Sequence, residues 1–308
     1  MLIRVLGSAA GGGFPQWNCG CRNCVGVRSG STNARARTQE SVAVSADGSS
    51  WFLLNASPEV RSQIESFPKL HPRALRDTPI AGIVLTNGDL DHCLGLLSLR
   101  ESQPLALYAT ARVRSGFTEG NVLYRTLERF EGQVTWHSLE LGEPGPELPL
   151  LGSAGVPSGL GLRAIAVPGK AALHLDQSKP DPGDNIGLLI QDARSKKTLA
   201  YLPAVGASSA AVSAAARAAD AVFFDGTFWS SDELVRLGAS ERRAEDMAHW
   251  PIGGPEGSLR FLAALPRARR VLIHLNNTNP ILREDSAERA EVHAAGVEVA
   301  FDGMELTL

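Results

Sequence analysis

The sequence predicts an α/β fold built as one large domain. Three observations lead there. Several strand-length segments are nearly continuous apolar runs, such as Ala81-Gly-Ile-Val-Leu-Thr86 and Ala221-Val-Phe-Phe-Asp225, the pattern of sheets covered on both faces. Helical patterns are interspersed among these runs instead of collecting at one end. No Pro/Ser linker divides the 308 residues, a length that buries a substantial core.

Apolar runs bounded by Gly, Pro, Asn and Asp mark the strands. In order they are Leu2–Leu6, Ser41–Ser45, Trp51–Asn55, Gly82–Thr86, Leu105–Ala109, Gln133–Leu139, Leu162–Val167, Ile186–Gln191, Thr198–Leu202, Ala221–Asp225, Val271–Leu275 and Val297–Phe301. Amphipathic spacing marks helices at Pro58–Ser66, Leu94–Ser102, Ser208–Ala218, Glu256–Ala264 and Ser286–Ala295. The Gly- and Pro-rich stretch Glu143–Gly161 reads as a surface loop. No residue-level repeat or low-complexity segment is present.

Composition excludes several classes. A formal charge of −3, with no basic block and 6% aromatic residues, argues against nucleic acid as the main partner. No apolar run approaches the ~18 residues of a membrane span. The first residues lack the basic start and long apolar stretch of a secretory signal, so the expected compartment is the cytoplasm.

Polar residues cluster where the strands end, which is where sites form in open α/β sheets. Two clusters carry chemistry. In Asn18-Cys19-Gly20-Cys21-Arg22-Asn23-Cys24 three thiols are close enough to converge on one soft cation. They sit too close together to be strain-free mutual disulfides. Three Cys and one His are a standard zinc set, so the loop at about 17–25 is expected to hold a structural zinc. Spacing does not select the fourth ligand among seven histidines; His249 is taken. The bland alternative is ordinary buried thiols, the default for Cys93.

The second cluster is Asn87-Gly88-Asp89-Leu90-Asp91-His92, between a buried strand and an apolar helix. Carboxylates beside an imidazole suit a divalent metal. A solvated turn with Asp91 as helix N-cap is the competing reading.

This segment resembles the His-x-His-x-Asp-His motif of the metallo-β-lactamase superfamily, with Asn87 and Asp89 in the places of the two leading histidines. Val271-Leu-Ile-His274 resembles the strand bearing the superfamily's last metal histidine. The cysteine loop resembles the zinc site of a phosphodiesterase branch, in which His249 matches the late histidine. Longer strings resemble the pyrroloquinoline quinone biosynthesis protein B family over essentially the whole chain. They are Gly7-Ser-Ala-Ala-Gly-Gly-Gly-Phe-Pro-Gln-Trp-Asn-Cys19, Asn55-Ala-Ser-Pro, Leu96-Leu-Ser-Leu-Arg-Glu, Pro182-Gly-Asp-Asn-Ile-Gly, His274-Leu-Asn-Asn-Thr-Asn-Pro-Ile-Leu and Phe301-Asp-Gly-Met-Glu.

The resemblance implies a single-domain αβ/βα four-layer sandwich, residues 1–308, acting in biosynthesis of pyrroloquinoline quinone (PQQ). Set against the superfamily motif, the first metal site is stripped. Its third histidine would fall near Val167-Pro-Gly169, with only His174 nearby, and Pro203-Ala-Val-Gly206 replaces the bridging Asp. The second site keeps Asp91, His92 and His274, the ligand composition of non-haem Fe(II) oxygenases. The expected reaction is Fe(II)- and O2-dependent hydroxylation of the tyrosine ring of a peptide-derived Glu–Tyr intermediate. Asp89 is a candidate catalytic group beside the metal; Asn87 and Asn276 are candidate substrate contacts. A carrier moving PQQ or its precursor toward the periplasm is the alternative, and a residual metallo-hydrolase the second. Expected partners are the peptide-derived intermediate or a PQQ-like product, and other PQQ-pathway proteins. The oligomeric state, a homodimer included, stays open.

Overall fold

A computed structural model of the chain describes residues 1–142, 145–152, 155–175, 178–265 and 267–308. The apolar runs assemble into two seven-stranded mixed sheets. The first contains β1 (Leu2–Gly7), β2 (Ser41–Ser45), β3 (Trp51–Leu54), β4 (Ile80–Val84), β5 (Leu105–Ala109) and β6 (Val134–Ser138). The second contains β7 (Leu148–Leu151), β8 (Pro157–Ala166), β9 (Ile186–Asp192), β10 (Thr198–Leu202), β11 (Ala221–Asp225), β12 (Arg269–Ile273) and β13 (Glu298–Val299). The last strand, β14 (Glu305–Thr307), returns to pair with β1. The spatial orders are therefore β14-β1-β2-β3-β4-β5-β6 and β7-β8-β9-β10-β11-β12-β13. Along those orders each sheet starts with three antiparallel junctions and ends with three parallel ones.

Alternation along each strand sorts the side chains into layers. Phe52 and Leu54 of β3, with Ala221 and Phe223 of β11, enter the core between the sheets. Trp51 and Leu53 face outward, onto α2 (Val60–Glu65) and α4 (Ala111–Thr118). Val222 and Phe224 face the other way, onto α5 (Ala210–Ala218), α7 (Ser258–Ala263) and α8 (Ala287–Ala294). The result is the expected four-layer αβ/βα sandwich in one domain. Among the described residues, no helix is long and apolar enough to cross a membrane.

Three expectations fail locally. The stretch Glu143–Gly161 contains β7 and the start of β8, paired antiparallel with Leu150 fully buried; its Gly and Pro content concealed the pairing. Residues 143, 144, 153 and 154 of that stretch lie outside the described residues. Leu94–Ser102 forms 3-10 turns over Leu94–Leu99 instead of a regular helix, because Gly95 lies directly against the carbonyls of Ala56 and Ser57. Helix α1 (Arg22–Ser29) was not expected from Gly- and Cys-rich sequence. It is capped by Cys21 Sγ accepting from Cys24 N–H and closed by left-handed Gly30.

The inter-sheet core gives a stability prediction. Phe223 is fully buried there, two residues before the end of β11. Phe223→Ala should cost about 3–5 kcal/mol of unfolding free energy, measured by urea denaturation.

Candidate metal centre

At one edge of the sandwich the two sheets are stitched together by backbone bonds. Ala10 N–H donates to Leu275 O, Leu275 N–H to Ser8 O, and Ile186 N–H to Thr86 O, each at 2.9 Å. The polar residues of the β4 and β12 ends meet at this seam.

After β4 the chain turns through Asn87, whose Oδ1 accepts from Asp89 N–H at 3.0 Å. The short helix α3 (Leu90–Cys93) follows. Asp91 is inside this helix rather than at its N-cap. The N-cap is Asp89, whose side chain makes no capping bond, so both carboxylates remain available to the pocket they line. From the other sheet, His274 follows β12 with φ of +61°, a left-handed conformation that costs a non-glycine residue energy and is typical of functional positions. Its Nε2 lies 3.1 Å from Asp91 Oδ2. Gly11 gives Asp91 room: a Cβ there would stand 3.3 Å from Asp91 Oδ2.

Both imidazoles are oriented by threonine. Thr227 Oγ1 donates to Asp225 Oδ1 at 2.6 Å and lies 2.8 Å from His274 Nδ1. Having spent its proton, it accepts from Nδ1–H. Thr86 Oγ1 donates to Asn55 Oδ1 at 3.1 Å and lies 3.3 Å from His92 Nδ1. The same reasoning leaves His92 Nε2 as a bare lone pair. That atom is buried without any hydrogen-bond partner, with Asp91 Oδ2 and Glu40 Oε2 each 3.7 Å away. An orphaned acceptor beside a carboxylate and a second imidazole fits a metal ligand set. Asp91, His92 and His274 bring their ligand atoms within 4.8 Å of one another.

Burial sets the charges. It pushes His92 down to about 4, against the pull of Asp91. It also opposes protonation of His274, but the Asp91 hydrogen bond and charge hold that imidazole up at about 9. Asp91 is itself held well below the usual range by His92 and His274, despite its burial. Burial and the neighbouring Asp91 raise Asp89. Glu40, fully buried, is pushed up to about 8 by burial.

Asn87, Asp89, Asp91, His92, His274 and Asn276 all line one cavity of about 250 Å³. His249 lines it too, which corrects its expected place on the cysteine loop. Its Nδ1 is 2.7 Å from Asp225 Oδ2, and its ring stacks on His274 at 5.4 Å. The backbone explains this: Trp250 N–H bonds Val205 O at 2.6 Å, pinning the segment beside the end of β11, where the buried Asp225 carboxylate draws the ring. Asp225, His249 and His274 form a second group of compatible ligand atoms. His174 is exposed and lines a different groove.

The cysteine trio does converge, with all three Sγ within 4.8 Å. The group facing it is Asn277, whose carboxamide nitrogen lies 3.0 Å from Cys19 Sγ, 3.4 Å from Cys24 Sγ and 3.7 Å from Cys21 Sγ. Burial pushes Cys21 up to about 11. Cys93 is buried and pushed up to about 12, also by burial, consistent with an inert thiol. Sequence reasoning missed Glu40, His249 as a pocket residue, and two cations of the cavity wall, Lys170 and Arg242.

Glu40 generates a pH prediction for the metal-free protein. Its folded pKa is raised, so its contribution to stability is complete below the ordinary carboxylate range and is lost as pH rises through about 8. Glu40→Gln removes that loss. The urea midpoint of the variant should rise relative to the wild type between pH 5 and 8, and a constant difference would contradict the burial argument.

Comparison with known proteins identifies the family and the fold. The family model described as "Beta-lactamase superfamily domain" matches residues 50–275. The chain is 51% identical to the coenzyme PQQ synthesis protein B of Azoarcus sp. strain BH72 and 46% identical to that of Stutzerimonas stutzeri, over all of each chain. A crystal structure of Zn2+-bound PqqB from Methylobacterium extorquens superposes with a TM-score of 0.90 at 41% identity, each chain fully covered. A diphosphatase of the PhnP family, at 20% identity and a TM-score of 0.66, shares the fold. The chain therefore belongs to the coenzyme PQQ synthesis protein B family of the beta-lactamase superfamily.

Proposed function

We propose that this protein acts in PQQ biosynthesis as an Fe(II)- and O2-dependent oxygenase that hydroxylates the tyrosine ring of a peptide-derived Glu–Tyr intermediate. The observation that carries the reading is the ligand set of one carboxylate and two threonine-oriented imidazoles, with His92 Nε2 buried and unpartnered. Asp91, His92 and His274 would hold the iron. When bound, Fe(II) supplies open coordination positions for O2 chemistry; a two-electron donor is needed to reduce the second oxygen atom to water.

The chain's own residues do the rest. Thr86 and Thr227 hold the imidazole tautomers, presenting Nε2 of each ring. Asp89, in the same cavity, accepts the phenol proton or binds a substrate amine. His249 keeps its Nδ1 on Asp225, which fixes the orientation of the ring in the cavity it lines. Asn87 and Asn276 offer hydrogen bonds to the substrate. Asn87 and Asp89, standing where a hydrolase of this superfamily carries histidines, do not reproduce the two-metal set that generates a bridging hydroxide. The cysteine trio would hold a structural zinc, with Asn277 rather than His249 nearest the fourth position. Thiols kept reduced for zinc fit a cytoplasmic setting.

Metal analysis and single-turnover mass spectrometry test this reading. His92→Ala or His274→Ala should lose the iron and retain one zinc per chain; loss of both metals would mean the two sites are misassigned. Labelled O2 admitted to the Fe(II) protein with a Glu–Tyr substrate should place labelled oxygen in the product, and this should vanish in His274→Ala. Two zincs at the triad with hydrolytic turnover would replace the oxygenase by a hydrolase, and product affinity without turnover by a carrier. Cys21→Ser should lower the melting temperature, because structural zinc contributes directly to folding free energy.

A further inference from the structure

The cavity above the triad is electrically lopsided. Its floor carries Asp89, Asp91 and the histidines, while its wall carries Lys170 and Arg242. Among the described residues neither cation makes an ion pair or a side-chain hydrogen bond. Burial pulls Lys170 below the usual ammonium range; Asp89 opposes that shift, and Arg242 adds to it more weakly.

Both residues are mounted on fixed backbone. Lys170 follows Pro168, whose carbonyl accepts from Gly206 N–H at 2.6 Å, and Val167, whose N–H reaches Asn185 O at 3.2 Å. Gly169 between them abuts the Asn185 side chain. Arg242 N–H is held by Ser240 Oγ at 3.0 Å, and Arg243 N–H by Asp246 Oδ2 at 2.8 Å. Neither side chain is closed off by a salt bridge among the described residues, so both remain open to an anionic ligand in the cavity they line. Guanidinium and ammonium groups bind carboxylates through charge-assisted hydrogen bonds. Leu173, Phe228 and Met247 add apolar surface to the same cavity.

We infer that Lys170 and Arg242 form a carboxylate-binding subsite, which takes the anionic end of a small aromatic polycarboxylate and turns its ring toward Asp91, His92 and His274. The inference rests on the functional reading above for the identity of the ligand, and it assigns the ligand's orientation.

The test uses the full chain loaded with zinc, which is redox-inert, and PQQ itself as the probe, with its trimethyl ester as the uncharged control. Calorimetry should give a Kd raised roughly 10-fold by Lys170→Met and by Arg242→Met, and roughly 100-fold by the pair. Lys170→Arg should retain most of the affinity. The ester should bind the wild type as weakly as PQQ binds the double variant, and added salt should weaken only the wild-type complex with PQQ. Unchanged melting temperatures confirm that the variants fold. An unchanged Kd in the double variant, equal binding of acid and ester, or no binding of PQQ by the wild type would each overturn the subsite. The oxygenase reading fails separately: weakened binding in the variants without labelled-oxygen incorporation by the iron-loaded wild type would leave the subsite standing and remove the reaction.

Discussion

The contact on which the site depends is the 3.1 Å approach of Asp91 Oδ2 to His274 Nε2. It joins groups 183 residues apart in the chain, one from each sheet. Neither group would adopt its state alone. Burial would neutralise the carboxylate and the imidazole, and each keeps the other charged in the absence of a cation. The left-handed backbone at His274 is the conformational cost of making that approach. A divalent ion between these groups would satisfy the same electrostatics more fully, because it also meets the lone pair of His92.

The two imidazoles are supported in parallel ways. Thr86 stands two residues beyond the end of β4, and Thr227 two residues beyond the end of β11. These strands hold the same rank in their respective sheets. Each hydroxyl gives its proton to a side-chain oxygen, of Asn55 or Asp225, and takes one from an imidazole. The repeated sheet order thus extends to hydrogen-bond chemistry at the seam, although the two halves show no residue-level repeat.

What was legible in the sequence was local. The three cysteines fall within six residues, and Asp91 and His92 are adjacent. Spacing therefore marked the thiol site and left the second cluster open between a metal site and a solvated turn; the resemblance joined His274 to it. β2, β5, β10 and β11 coincide with their apolar runs. What was not legible was long-range. Ala248-His249-Trp250 carries no mark of whether its imidazole turns to thiols or to Asp225; a backbone bond from Trp250 to Val205 decides it. Nothing in the spacing of Asn277, one of several polar residues past the end of β12, marks it as the amide that meets all three thiols. Glu40 lies between polar neighbours and gives no sign of complete burial. In β7, Pro and nearby Gly masked a strand whose pairing with β8 supplies the missing order.

The backbone stitches at the seam have a kinetic consequence. Ser8, Ala10 and Leu275 on one side, and Thr86 and Ile186 on the other, tie the halves together directly beside the pocket. A hinge that spread the sheets would break those bonds and pull Asp91 from His274 at once. Entry and exit must therefore proceed past the rim, by rearrangement of side chains such as Leu173, Met247 and Arg242. Such motions are intrinsically fast, on ps–ns scales, compared with the μs–ms scale of domain opening. Residence time in this cavity is then a property of contacts at its mouth, with the sandwich behaving as a rigid frame.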